Sequence, residues 1–187
     1  MSVSVEQLHF TASDEANELL ARDPLALLIG FALDQQVPVP TAFLGPQKLK
    51  DRLGTLNAAE IAHMDPDKLE AAFREKPAVH RFPGAMASRV RDLAAVVEED
   101  YGGDASRLWR EASDSAELRR RIEALPGFGQ MKVKALGAVL YKRFGVEAAR
   151  ELTPAHPTLG DVDSSEALER YQAAKREHKA KMRAQRA

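Results

Sequence analysis

Apolar residues recur every three or four positions through most of the chain, most clearly on either side of residues 125–130. Leu118, Ile122 and Leu125 mark one face of a charged run from Asp114 to Ala124. Val133, Leu136, Leu140 and Phe144 mark one side of a second run that starts at about Gln130. This is the 3.6-residue period of an amphipathic helix. Pro126-Gly127-Phe128-Gly129 joins the two, and helices joined so briefly fold back on one another. Pro126 stops the first helix, and the glycines permit torsions closed to other residues. The turn leaves backbone N–H groups free at the start of the second helix, where the dipole favours an anion. Such a site grips a phosphate without reading a base.

The same period predicts helices almost everywhere else. Ser13 caps a helix through Ala21, and Asp23-Pro24 opens the next as cap and first-turn proline. Leu25 to Leu33 is apolar nearly all round and predicts a buried central helix. Val37-Pro38-Val39-Pro40 breaks the chain before a helix over Thr41–Leu53 that Gly45-Pro46 bends. Asn57 and Asp65 each cap a short helix. Glu75-Lys76-Pro77 and Arg81-Phe82-Pro83-Gly84 read as loops. Ala85 to Tyr101 forms a helix with Val90, Leu93, Ala94 and Val97 inward, ended by Gly102-Gly103. A short turn at Leu108-Trp109 leads to the helical hairpin. Val146 to Leu152 is briefly helical, Thr153 to Gly160 is a loop, and a polar helix begins at about Ser164. Val3, Val5, Leu8 and Phe10 alternate and predict an extended start. The class is all-α.

The hairpin resembles the helix-hairpin-helix of the HhH-GPD superfamily of base-excision DNA glycosylases, which includes endonuclease III and the alkylbase glycosylases. Two further blocks carry the likeness. Asp23-Pro24-Leu25-Ala26-Leu27-Leu28-Ile29-Gly30 to Leu33-Asp34-Gln35-Gln36 is similar to the family's early helix, which ends in a glutamine facing DNA. Phe82-Pro83-Gly84-Ala85-Met86-Ala87-Ser88-Arg89-Val90 is similar to the segment opening the helix upstream of the hairpin. The three stand in the family's order over residues 20–145. The resemblance implies one HhH-GPD-like domain of two helical lobes, an inner lobe over about 35–112 and a second of 1–34 with 113–187. It implies a base-excision repair protein acting on double-stranded DNA as a monomer. A non-catalytic helix-hairpin-helix DNA-binding protein is the alternative, and a helical scaffold that meets another protein is a third reading.

Composition narrows this. Cysteine is absent, which excludes disulfides, a thiol nucleophile and the iron–sulfur cluster of some endonuclease III relatives. His9, His63, His80, His156 and His178 lack metal-ligand spacing, so neither metal nor other cofactor is expected. No apolar run reaches the roughly 20 residues of a membrane span. Met1 to Phe10 lacks a secretory pattern, and the expectation is a cytoplasmic protein, nucleoid-associated when bound to DNA. Net charge is −1 overall, with seven Lys and Arg against three Glu from Ser164 onward. A local basic face on a near-neutral body supports modest, salt-sensitive DNA binding; a solvated helix face is the other reading.

The resemblance also points to chemistry. The family places an aspartate in a Val-Asp setting after the hairpin, to stabilise the sugar cation or activate water as the base departs. Gly160-Asp161-Val162-Asp163-Ser164-Ser165-Glu166 stands there; Asp163 keeps the order, Asp161 is the alternative, and Asp163-x-x-Glu166 also reads as a capping box. Bifunctional relatives carry a lysine where this chain has Met131, and a thioether cannot form a Schiff base. Lys132, next along the helix, points about 100° away. The expectation is therefore a monofunctional DNA glycosylase, hydrolysing the N-glycosidic bond of a damaged or mispaired base without AP-lyase activity. Its DNA contacts would be Gly127, Phe128, Gly129, Gln130 and Lys132 at the hairpin, with Gln36, Ser88 and Arg89 from the other blocks.

Overall fold

Capping side chains divide the N-terminal third. Ser13 Oγ accepts from the Ala16 N–H at 3.2 Å and starts α1 (Asp14–Arg22). Asp23 closes α1 and opens α2 (Pro24–Leu33), its Oδ1 accepting from the Leu25 and Ala26 N–H groups at 2.9 and 3.2 Å. Every residue of α2 from Leu25 to Leu33 is buried, as an all-apolar helix requires. Burying each large side chain contributes about 1.5–3 kcal/mol, which makes α2 the core's central strut. These coordinates are a computed structural model that describes residues 5–187.

The remaining helices are α3 (Val39–Leu53), α4 (Ala58–His63), α5 (Pro66–Arg74), α6 (Pro83–Tyr101), α7 (Arg107–Arg110), α8 (Ser115–Glu123), α9 (Gln130–Lys142) and α10 (Ser165–Gln185). Two 3-10 turns, Glu147–Leu152 and Leu159–Asp161, fill the stretch between α9 and α10. The fold is all-α, with no strand among the described residues. Val3 lies outside them, and residues 5–10 are irregular rather than strand: Leu8 and Phe10 are buried, and the Leu8 N–H donates to the Asn17 carbonyl. Pro83 and Gly84, read as loop from the sequence, form the first turn of α6, where proline's missing N–H costs nothing.

One contiguous core runs from Leu8 to Leu168. Within it α1 and α2 lie on α3, and α2 lies also on α6. At the other side α9 is held by α8 and by both 3-10 turns. Gly160 sits so close to α9 that a Cβ there would fall 2.5 Å from the Ala138 carbonyl oxygen. Only a residue without a side chain fits that approach.

Candidate nucleic-acid interface

The site begins with a turn that leaves its donors unused. Pro126 and Gly127 turn the chain after α8, with Gly127 at φ 79° in the left-handed region. Phe128 N–H returns to the Leu125 carbonyl at 3.1 Å. Gly129 then caps α9 without a side chain, and the helix's first bond runs from the Val133 N–H to the Gly129 carbonyl. The N–H groups of Gly129, Gln130, Met131 and Lys132 thus find no acceptor among the described residues. Nothing stands within 4 Å of the Cβ position of Gly129, so the approach to these donors is open. Four free donors at the positive end of a thirteen-residue helix suit an anion.

The side chains around the turn are sorted by burial. Gln130 and Met131 are exposed, and Met131 is 86% accessible. Phe128, expected as a DNA contact, is 5% accessible and anchors the turn from beneath. Lys132 also departs from expectation. Its ammonium turns back, donating to the Ala32 carbonyl at 3.1 Å and lying 5.5 Å from the centre of the Phe128 ring. What it offers an anion is its backbone N–H. Burial, with the Arg89 charge nearby, lowers its pKa to about 8, and Asp34 pulls the other way.

Arg89, half-buried on α6, reaches the turn. A Cβ on Gly127 would meet its Nε at 2.7 Å, and its Nη1 donates to Gln35 Oε1 at 2.6 Å. It therefore joins three chain segments: α6, the hairpin turn and the end of α2. Ser88 is exposed one residue before it. Gln36 is exposed and holds φ 59°, a conformation uncommon outside glycine and asparagine. His80 fixes the backbone beneath. Its Nε2 bridges to the Leu33 and Gln35 carbonyls at 3.0 and 3.1 Å, while Nδ1 accepts from the Phe82 N–H. These partners select the neutral tautomer with the proton on Nε2, and burial lowers the pKa accordingly.

The two aspartates named from the sequence differ in what surrounds them. Asp161 is engaged by the protein: Lys142 Nζ donates to its oxygens at 2.8 and 2.9 Å, and the Thr158 N–H donates to Oδ2 at 2.7 Å. Thr158 Oγ1 accepts in return from the Gly160 N–H, completing a capping box around the short turn. Burial raises the Asp161 pKa, but the lysine and the Thr158 donors outweigh it, and the net shift is downward. The expected capping box at Asp163 is not formed. Ser164 caps α10 instead, accepting from the Ala167 N–H at 3.1 Å, because it lies one residue nearer the helix. Asp163 is left exposed, without a hydrogen bond or ion pair among the described residues.

Three features near the hairpin escaped the sequence reading. Asp34, at the C-terminal end of α2, is half-buried; burial raises its pKa, while Lys175, Lys132 and Lys179 offset part of the rise. An acid at the negative end of an apolar helix is an electrostatic misfit legible in sequence. Tyr171 of α10 feels the same carboxylate, so α10 passes Asp34. Beside it, residues 36–39 and α10 enclose a cleft of about 400 Å³, lined also by Arg81, Gln172, Lys175, Arg176 and Lys179. No helix among the described residues is long and apolar enough to cross a membrane, and no three His, Asp or Glu side chains among them converge as a metal site would require. No protein-family model, curated protein or solved structure matches the chain.

Proposed function

We propose that the chain is a base-excision DNA-repair protein of the HhH-GPD kind, and that it acts as a monofunctional DNA glycosylase. The observation that carries this is the start of α9: four free backbone donors, an unobstructed Gly129 and Arg89 braced against the turn. That arrangement suits one phosphate of a duplex, held without regard to sequence. The blocks ending in Gln36 and Arg89 come together at the same turn, since Arg89 bonds Gln35 and touches Gly127.

In this reading the hairpin holds the backbone while a nucleotide is turned out of the stack. Water adds to C1′ of the sugar, the bond from C1′ to the base nitrogen breaks, the base leaves with the electron pair, and the proton lost by the water ends on that nitrogen. Asp163 is the carboxylate we assign to the developing cation or the attacking water, because Lys142 and Thr158 already occupy Asp161. Met131 supplies no amine, so the abasic product stays uncut. Release of free base from duplexes carrying single lesions, wild type against Asp163→Asn, tests the assignment. Release by wild type that survives the substitution removes Asp163 from the reaction.

A non-catalytic binder is the second reading, and one observation favours it. Asp161 pairs with Lys142, the last residue of α9, whose backbone stands roughly 18 Å along the helix from its first residue, at the end away from the phosphate donors. Specific duplex binding with no base release from any lesion decides for it.

A further inference from the structure

Ten ion pairs neutralise charges over the described residues, among them Arg22, Arg52, Arg74, Arg107, Arg110, Arg121 and Arg150. The cleft beside Gln36 is different. Arg81, Lys175, Arg176 and Lys179 line it from two distant parts of the sequence, and none forms an ion pair or hydrogen bond with a described residue. No carboxylate lines it either. A concavity with charges of one sign focuses the field and draws a counter-ion. The positive charge also continues past the cleft. From residue 173 to 187 every position of α10 and its end is exposed, and residues 172–187 carry six Lys and Arg against one Glu. This half of α10, mostly charged residues and alanine, has no side chain buried against a neighbouring element.

We propose that this cleft and the exposed half of α10 form a phosphate track for a nucleic-acid strand, clamping DNA beside the hairpin. The elongated shape favours a strand over a lone anion: Lys175 and Lys179 stand one helical turn apart, about 6 Å, and Arg183 and Arg186 extend the row. Val37, Pro38 and Val39 give the cleft an apolar wall against which sugar and base can lie. The inference rests on the reading of the hairpin as a DNA anchor, and it adds a second contact that the hairpin alone does not require.

The test is duplex binding over a series of salt concentrations with Lys175→Gln, Arg176→Gln and Lys179→Gln combined. Glutamine keeps helix propensity, and the three side chains lose no hydrogen bond or ion pair; Lys175 gives up its place 5.9 Å over the Tyr171 ring, and Lys175 and Lys179 their attraction to Asp34, so thermal melting of the variant is the control. The slope of log affinity against log salt should fall in magnitude by about 2–3, with about 10- to 100-fold weaker binding at moderate salt. A Lys175→Arg/Lys179→Arg variant should retain wild-type affinity. An unchanged slope and affinity in the triple variant overturns the track. So does inorganic phosphate, at ionic strength matched with chloride, if it erases the difference between wild type and triple variant, because a single-anion site would then suffice. Weakened binding in Gly129→Ala with none in the triple variant removes the track and leaves the hairpin. A wild type that binds no duplex at low salt removes both.

Discussion

The two ends of α9 are built on opposite rules. At its C-terminus Lys142, Asp161, Thr158 and Gly160 answer one another's hydrogen bonds, and Gly160 closes against the Ala138 carbonyl. At its N-terminus four N–H groups and an open glycine are left without partners, and the cations of the neighbouring cleft make no hydrogen bond or ion pair with a described residue. Both ends expose polar atoms, so exposure does not separate them. Satisfaction does. The closed end fixes where the chain after α9 lies, and the open end leaves its electrostatic potential unneutralised.

The largest effect that would sharpen this contrast is catalytic. Asp163→Asn should slow base release about 10²–10³-fold while thermal melting and duplex affinity stay near wild type. Asp161→Asn should do the reverse, costing stability but little rate. Its lowered pKa means its contribution is complete above the carboxylate's ordinary range and fades as pH falls through the shifted value. A melting series from pH 7 downward should therefore narrow the gap between the two proteins only once pH falls below the ordinary carboxylate value. Equal rate losses in both variants would erase the distinction between the ends.

Substitutions at the two glycines come next. Gly129→Ala meets open space at φ −97°, so melting should shift by no more than about 1 kcal/mol, while duplex binding weakens several-fold on every sequence. Gly160→Ala must displace the α9 backbone and should lose about 1–3 kcal/mol with DNA affinity unaltered. Fluorescence anisotropy and denaturant unfolding on both variants would show whether binding and stability really divide between the ends.

The smallest effect concerns Lys132. Its depressed pKa means the charged form is disfavoured by folding, so below about pH 8 it burdens the native state, and the burden lifts as pH rises from there toward 10.5. The stability of wild type relative to Lys132→Met should therefore increase across that interval in paired urea titrations. A flat difference would mean the ammonium is as well solvated as an ordinary surface lysine.

The sequence carried the helices well, because caps and apolar period speak locally. Ser13, Asp23, Asn57 and Asp65 each start the helix expected of them. The hairpin turn was legible for the same reason, its proline and glycines acting on adjacent residues. Side-chain direction was not. Phe128 and Lys132 turn inward because α2 lies behind the turn, and nothing near residue 130 announces a carbonyl at Ala32. Asp161 and Asp163 were inseparable without Lys142 and Ser164 choosing their own partners. The basic face of α10 was visible as a charge imbalance, but its meeting with Arg81 is a fact of tertiary structure.

His80 adds an acid sensitivity to this arrangement. It is a latch between the end of α2 and the start of α6, and the latch holds only while its ring is uncharged, since Nδ1 must accept from Phe82. Its pKa lies below the ordinary 6.5, so the stability it contributes is whole above that value and is lost as pH falls through the depressed one. Protonation would set two donors nose to nose at the base of the segment carrying Gln35 and Gln36. Acid should then loosen this segment before the core, and hydrogen exchange should report it as early opening at residues 33–37 and 80–84.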